Sequence, residues 1–321
     1  MKIPPRPAPD EVRTVAVIGT GVIGAGWAAH FLRMGYDVLA WDPGERADER
    51  LRALVGRAWP ALVRLGLAEG ADLGRLRVAA TMREALRSAD FVQESSPESL
   101  ALKVELLAEI DAATPASVVI GSSTSGYAMS DMSVNCCSPE RFLVAHPFNP
   151  PYLIPLVELA PSKVTDPDVV SWAAAFFTRA GKVCLTMERE VPGFVANRLQ
   201  DALWREALHM VAAGEATVQQ IDDAITYGPG LRWALMGPML TFHLAGGPGG
   251  MRHMLDHFGP SLLEPWTRLV APELNDELRD AVVAGVERQA AGRSVAELED
   301  ERDRFLVDLL LLLDSHRAHR R

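Results

Sequence analysis

A glycine-rich turn near the N-terminus constrains this chain more than any other feature. Gly19, Gly21 and Gly24 form the pattern G-x-G-x-x-G, with Val22 and Ile23 between the last two glycines. The pattern directly follows a β-branched run and directly precedes a helical pattern. In that setting the glycines permit a tight turn, let the backbone approach a pyrophosphate and let the helix pack close to the strand. The sequence therefore predicts a dinucleotide at the start of the first helix.

A second sign of dinucleotide binding stands at the end of the next predicted strand. Asp42 follows Gly24 by eighteen residues. A carboxylate there accepts hydrogen bonds from the adenosine ribose hydroxyls and repels a 2′-phosphate. Arg46 lies close by, and an arginine can accommodate the 2′-phosphate of NADP, so it weakens the argument for NAD over NADP. On balance we expect NAD as the cofactor, with Asp42 and the glycine turn holding it.

Short β-branched runs alternate with longer helical patterns through the first half of the chain. Because parallel strands need helical crossovers that cover both faces, this alternation predicts a doubly wound, mainly parallel α/β sheet of Rossmann type. The predicted strands are Arg13–Ile18, Asp37–Trp41, Asp90–Gln93, Val118–Ile120 and Phe142–Ala145, with Leu156–Leu159 and Val183–Met187 as further strands at the far edge.

The pattern changes near residue 190. From Val191 onward the strand signal stops, and capping-box patterns at Thr217-x-x-Gln220 and Ser294-x-x-Glu297 predict helix starts. We therefore expect an NAD-binding domain over residues 1–190. A smaller all-helical domain over residues 191–321 is expected to bind substrate and to form a homodimer.

Composition argues against several other classes of protein. The net charge of −10 opposes binding to nucleic acid or to anionic lipid. The three cysteines cannot form a disulfide framework and lack metal-ligand spacing, so we expect no metal and a cytoplasmic location. The most apolar run, Phe305–Leu313, is much shorter than the roughly 20 residues that cross a bilayer. It is expected to be a buried helix rather than a membrane span.

His146 is the histidine best placed for proton transfer. It ends the apolar run Phe142–Ala145 and precedes Pro-Phe-Asn-Pro-Pro, so it falls at the carboxyl end of a predicted strand. Ligands of doubly wound sheets bind at that edge, and an imidazole titrates near operating pH. From position alone, a structural histidine is as good an interpretation as a catalytic one.

Four segments, in order and at matching spacing, resemble the signature series of the 3-hydroxyacyl-CoA dehydrogenase superfamily. The likeness runs from about residue 13 to at least residue 245. The matching segments are Ser123-Thr-Ser125, His146-Pro-Phe-Asn149-Pro, Glu158, and Pro192-Gly-Phe-Val-Ala-Asn197-Arg198.

The resemblance implies a role for each matching residue. His146 would be the general base and Glu158 the carboxylate that orients it, while Ser125 and Asn197 would hydrogen-bond the reacting oxygen. Glu94 resembles the glutamate of the superfamily's cofactor-side segment. Glu98 and Lys103 lie nearby, but a solvated helix start explains them equally well, so Glu94 alone is expected to face the cofactor.

The substrate is expected to be a small free 3-hydroxy acid. No lysine stands between Lys2 and Lys103, so this part of the chain offers few basic side chains for the phosphates of coenzyme A, although arginines could still bind them. The glycine-rich stretch from residue 228 to residue 253 resembles the L-carnitine-oxidising branch of the superfamily. Aromatic faces would bind the quaternary ammonium and a guanidinium the carboxylate. The candidate residues are Arg232, Trp233, Phe242 and Trp266.

Three alternatives stay open at this point. Oxidation of L-gulonate and oxidation of L-3-hydroxyacyl-CoA are the competing activities within the superfamily. An NAD-binding structural protein of the crystallin type is the alternative outside enzymes. Retention of Ser125, His146, Glu158 and Asn197 together favours an enzyme.

Overall fold

One eight-stranded sheet organises the first part of the chain, in the strand order 3-2-1-4-5-6-7-8. The computed structural model describes residues 6–260, 267–268 and 270–318. The strands are β1 (Thr14–Ile18), β2 (Asp37–Trp41), β3 (Leu76–Val78), β4 (Phe91–Glu94), β5 (Val119–Ser122), β6 (Phe142–Pro147), β7 (Leu156–Pro161) and β8 (Val183–Thr186).

Helices cover both faces of this sheet. Successive residues of β1 belong to different hydrophobic clusters, with Val15 and Val17 in one and Ala16 and Ile18 in the other. Because side chains alternate along a strand, each cluster lies on its own face of the sheet. The helices of this part are α1 (Val22–Arg33), α2 (Ala47–Leu65), α3 (Met82–Leu86), α4 (Leu100–Ala113), α5 (Met129–Met132) and α6 (Pro167–Arg179). The predicted doubly wound, mainly parallel fold is confirmed.

The strand order reverses between β1 and β4, which both pair with parallel neighbours. The β1 and β4 carboxyl ends therefore border the switch point, where doubly wound sheets bind their ligands. β3 was not predicted, because its three residues are too few to show an alternating pattern.

The sheet has one antiparallel pair, β6 with β7, which the alternation of strands and helices did not indicate. Only residues 148–155 join the two strands. A parallel crossover needs about a dozen residues or more, so a connection of this length reverses the chain. The reversal places His146 directly opposite Glu158.

A buried ion pair holds the beginning of β6, at the end of the strand away from His146. Arg141 is 3% exposed, and its Nη2 lies 2.6 Å from Oδ1 of Asp111. Arg141 also donates to the carbonyl oxygens of Asp111, Val118 and Pro115. These bonds satisfy a guanidinium that would otherwise be costly to bury.

The chain divides into two compact units. The sheet unit contains the described residues up to Asn197 together with Asp303–Leu311, and the helical unit contains Arg198–Arg302 and the residues from Leu312 onward. The remaining helices are α7 (Ala196–Ala212), α8 (Val218–Thr226), α9 (Gly230–Trp233), α10 (Pro238–Ala245), α11 (Gly250–Phe258), α12 (Asp276–Ala290) and α13 (Val295–Ala318).

The helical unit has no strand among its described residues, as expected. Both predicted capping boxes are present: Thr217 and Gln220 bond reciprocally ahead of α8, and Ser294 and Glu297 do so ahead of α13. The predicted domain limits, 1–190 and 191–321, stay a prediction. Among the described residues, no helix has the length and apolar character that crossing a membrane requires.

Candidate active site

The glycine turn between β1 and α1 has the geometry of a phosphate cradle. Gly19 has φ of +90°, a conformation that favours glycine, and a methyl group on Gly24 would lie 1.9 Å from the carbonyl oxygen of Gly19. A methyl group on Gly21 would meet nothing within 4 Å, so this side of the turn is open. Val22 and Ile23 follow in the first turn of α1, which has no acidic side chain and no side-chain cap. Free N–H groups there suit an anion.

Asp42 braces this turn from the end of β2. Its Oδ2 accepts from the backbone N–H of Thr20 at 2.8 Å, and its Oδ1 accepts from that of Gly44 at 2.8 Å. A carboxylate has further lone pairs for ribose hydroxyls. Arg46 is paired with Glu49 through Nε–Oε2 at 2.9 Å, so its charge is already balanced. The turn and Asp42 therefore fit the adenosine and pyrophosphate parts of NAD.

His146 and Glu158 form a buried pair across the antiparallel strands β6 and β7. His146 Nδ1 lies 3.0 Å from Glu158 Oε2. The residues are 5% and 0% exposed, respectively. The imidazole also contacts two aromatic rings, since the ring centroids of Phe148 and Phe194 lie 4.9 Å and 5.4 Å from its own. The bond to Glu158 and these two rings fix the orientation of the imidazole.

The second oxygen of Glu158 is held by the turn that precedes α7. Its Oε1 accepts from the backbone N–H groups of Val195 and Ala196, each at 2.8 Å. Two consecutive residues with positive φ, Gly193 at +68° and Phe194 at +57°, precede these donors. A non-glycine residue in this region is strained, and the burial of the Phe194 ring against His146 maintains it there.

Glu158 is set up to remain ionised. Burial by itself raises the pKa of its carboxyl, but hydrogen bonds from His146, Ala196 and Val195 outweigh burial and bring the pKa below its usual value of 4.5. A carboxylate only accepts hydrogen bonds, so the proton between the two side chains belongs on Nδ1 of His146. The Nε2 atom is then the basic nitrogen that can receive a proton.

Ser125 and Asn197 lie next to each other, and their binding of the reacting oxygen stays a prediction. Asn197 Nδ2 donates to the backbone carbonyl oxygen of Ser125 at 2.6 Å. The backbone N–H of Ser125 donates to Glu98 Oε1 at 2.9 Å, and the hydroxyl of Thr124 donates to the same oxygen at 2.7 Å. Ser125 itself is exposed. The loop is therefore held through its backbone, which leaves the Ser125 hydroxyl to bind another group.

Glu94 lies deeper than the other candidates. It is 0% exposed, and its carboxylate accepts from Lys103 Nζ at 2.9 Å, from the backbone N–H of Ser96 at 2.6 Å and from the hydroxyl of Ser122. These bonds tie the carboxyl end of β4 to that of β5. Direct contact between Glu94 and the cofactor stays a prediction.

Sequence reasoning missed the part played by Glu98 and Lys103. Lys103 does not belong to a solvated helix start, because it is 1% exposed and donates to Glu94. Glu98 is exposed, as that interpretation requires, but its carboxylate also accepts from the backbone N–H of Ser125. The helical spacing of α4 was the available signal. Its buried positions are Lys103, Leu107, Ile110 and Asp111, so the lysine stands on the apolar face of the helix.

The predicted substrate residues belong to the helical unit. Arg232 and Trp233 lie in α9 and Phe242 lies in α10, where Phe242 is 50% exposed. Trp266 lies outside the described residues. A role for these four residues in substrate binding stays a prediction.

Comparison with known proteins gives a consistent picture of both halves of the chain. Residues 14–191 match the profile "3-hydroxyacyl-CoA dehydrogenase, NAD binding domain", and residues 193–287 match "3-hydroxyacyl-CoA dehydrogenase, C-terminal domain". The L-carnitine dehydrogenase of Streptomyces griseus is 66% identical over 94% of this chain and 90% of its own length. That of Bacillus cereus is 50% identical over 96% of this chain and 94% of its own.

A solved structure is similar over almost the same length. The 5-formyl-3-hydroxy-2-methylpyridine 4-carboxylic acid 5-dehydrogenase, an NAD⁺-dependent dismutase, superposes with a TM-score of 0.80 at 27% identity. The superposition covers 94% of this chain and 99% of that one. The likeness therefore extends through the sheet unit and the helical unit.

The lowered pKa of Glu158 predicts how stability depends on pH. A depressed carboxyl pKa contributes stability above the usual value of 4.5, and this contribution is lost as pH falls through the lowered pKa. Glu158→Gln lacks the contribution at every pH. We expect the variant to melt at a lower temperature than the wild type at neutral pH, and the gap to narrow in acid. Melting curves recorded from neutral to strongly acidic buffer measure the gap; a constant gap would contradict the assignment.

Proposed function

The chain belongs to the 3-hydroxyacyl-CoA dehydrogenase family, and we propose that it oxidises the 3-hydroxyl group of L-carnitine with NAD as the cofactor. The assignment of L-carnitine as the substrate is supported most strongly by sequence identity to L-carnitine dehydrogenases. This identity is 66% in one case and extends along nearly the whole chain. A relative of that closeness shares the helical unit as well as the NAD-binding fold. The substrate is accordingly a small molecule.

The proposed reaction removes a proton from the hydroxyl group and a hydride from the carbon that bears it. NAD, when bound, supplies the hydride acceptor. His146 Nε2 takes the hydroxyl proton, because the bond from Nδ1 to Glu158 leaves Nε2 as the basic nitrogen. The imidazolium that results is stabilised by the adjacent carboxylate. Burial of the pair strengthens this attraction, since the local dielectric is low.

Ser125 and Asn197 are proposed to bind the reacting oxygen. The Ser125 hydroxyl is exposed, and its loop is fixed by Glu98 on one side and by Asn197 on the other. Asn197 uses one amide hydrogen for the Ser125 carbonyl and retains a second. Neutral donors fixed in this way stabilise charge on the oxygen without reorganising during the reaction.

L-Carnitine has a quaternary ammonium group at one end and a carboxylate at the other, and we propose that residues of the helical unit bind both. A quaternary ammonium has no hydrogen to donate and is bound by aromatic faces, while the carboxylate suits a planar guanidinium. We propose Trp233, Phe242 and Trp266 for the first role and Arg232 for the second. The exposed positions of Arg232 and Phe242 support this proposal.

We also propose that the protein is a cytoplasmic homodimer formed through the helical unit. Many large apolar side chains of that unit are exposed, among them Trp204 at 59%, Leu231 at 69% and Met239 at 69%. Such side chains on a water-soluble enzyme favour a covered interface. The free thiols Cys136, Cys137 and Cys184 favour a reducing compartment.

Light scattering tests the homodimer. The expected mass in solution is twice the chain mass of 34.9 kDa. Replacing Leu231 and Met239 by glutamate places charges in the proposed interface and is expected to shift the mass towards that of one chain. A wild-type protein with the mass of one chain at all concentrations would contradict the proposal.

The substrate is tested by following NADH formation with L-carnitine, L-gulonate and L-3-hydroxybutyryl-CoA in separate reactions. We expect kcat/KM to be highest for L-carnitine, since a pocket built for its two charged ends loses roughly tenfold or more with a ligand that lacks one of them. Activity confined to the thioester or to L-gulonate would refute the proposed substrate. Absence of activity with all three would favour a structural protein.

The general base is tested by His146→Gln, which keeps a polar side chain but cannot accept the hydroxyl proton. Turnover is expected to fall by about 100-fold or more, because general base catalysis is lost. The dissociation constant for NADH, measured by fluorescence, is expected to stay within about twofold, since the glycine turn and Asp42 are unchanged. Normal turnover in this variant would remove His146 from the mechanism.

A further inference from the structure

A buried lysine outside the residues discussed above contacts the loop that follows the proposed base. Lys182 precedes β8 and is 4% exposed. Its Nζ donates to the carbonyl oxygen of Ile154 at 3.0 Å and to that of Pro151. The same atom lies 5.0 Å from the ring centroid of Trp27, in a cation–π arrangement.

Burying the ammonium group of Lys182 costs free energy, which its hydrogen bonds to the loop must offset. Burial, with a further contribution from Arg33, lowers the pKa of Lys182 to about 7, and Cys184 opposes that change only in part. Among the described residues, no carboxylate is paired with it. A methionine of similar length would fill the same space without a charge to desolvate. What the lysine adds over such a residue is its set of donors to the two loop carbonyls.

The loop between β6 and β7, residues 148–155, begins immediately beyond the strand that bears His146. At its start, the Phe148 ring lies edge-on to the imidazole, with centroids 4.9 Å apart. At its middle, Pro151 rests on α1: a methyl group on Gly26 would lie 2.6 Å from Cδ of Pro151. The loop therefore touches both the imidazole and the helix whose first turn follows the glycine cradle.

We propose that Lys182 is a positioning residue, which holds the loop 148–155 against α1 and thereby sets the imidazole of His146 relative to the cofactor site. Glu158 fixes one nitrogen of the imidazole, and Phe148, at the head of the loop, fixes the ring plane. Lys182 acts on this arrangement through the loop, because its donors bond the carbonyl oxygens of Pro151 and Ile154. The proposal rests on the proposed function of His146 as the base.

Lys182→Met tests this role, because it keeps the length of the side chain and removes its donors. We expect kcat to fall roughly tenfold to a hundredfold, the range that follows a misplacement of about 1 Å at a reacting group. The dissociation constant for NADH is expected to stay within about twofold, because the glycine turn and Asp42 are unaltered.

Arg141→Met is the matched control. Arg141 is also buried and also donates to backbone carbonyl oxygens, but it does so at the opposite end of β6. The control is expected to lower the melting temperature while kcat per folded molecule stays within about twofold of the wild type, since a purely structural loss leaves the remaining native molecules active. Equal losses of kcat in both variants, or an unchanged kcat in Lys182→Met, would overturn the proposal.

Gly26→Ala alters the contact between α1 and the same loop, and it replaces Lys182→Met as the test if that variant does not fold. The added methyl group would lie 2.6 Å from Cδ of Pro151, so the packing of the loop on α1 must change. We expect kcat to fall with NADH affinity retained. An unchanged kcat, or a loss confined to NADH affinity, would contradict the proposed role of the loop.

Crystal structures of the wild type and of Lys182→Met separate this proposal from the proposed function. A shift of residues 150–154 and a rotated imidazole in the variant would support the positioning role even if none of the three hydroxy acids were oxidised. Loop and imidazole in unchanged positions would overturn it even if L-carnitine were the substrate.

Discussion

The hydrogen bond between Glu158 and His146 is the interaction on which the proposed chemistry depends. It exists because the short connection after β6 reverses the chain and sets the two residues opposite each other. The carboxylate stays ionised because it accepts hydrogen bonds from His146 and, on its other oxygen, from two backbone N–H groups. Those donors are presented by a turn with two positive φ angles. One antiparallel pair in an otherwise parallel sheet thus buries and orients the proposed base.

The parallel part of the sheet supplies the other half of the site. β1 and β2 end at the glycine turn and Asp42, whereas β4 and β5 end at the network that Glu94 and Lys103 form with Ser122. These carboxyl ends lie at one edge of the sheet, as parallel pairing requires. The glycine turn, Asp42 and the loop that holds Ser125 are therefore fixed by contacts within the sheet unit.

Much of this arrangement could be predicted from sequence, and the exceptions have physical causes. The glycine turn, the main strands and the residues His146 and Glu158 each leave a local pattern or lie in a recognisable motif. The antiparallel direction of β7 can be predicted only from the length of the loop that precedes it. The three residues of β3 are too few to show an alternating pattern. Lys103 and Lys182 are charged side chains in buried positions, which composition and charge patterning assign to the surface. Their partners are backbone carbonyls and a carboxylate that only the folded chain brings near.

The protonation state of the imidazole is the most direct test of the central interaction. Nuclear magnetic resonance of protein labelled with ¹⁵N in histidine, recorded in alkaline buffer, distinguishes the two neutral tautomers. The His146 signal can be identified by its absence from the spectrum of His146→Gln. A hydrogen on Nδ1 with Nε2 bare is the expected result. A hydrogen on Nε2, with Nδ1 bare beside the carboxylate, would contradict His146 as the base.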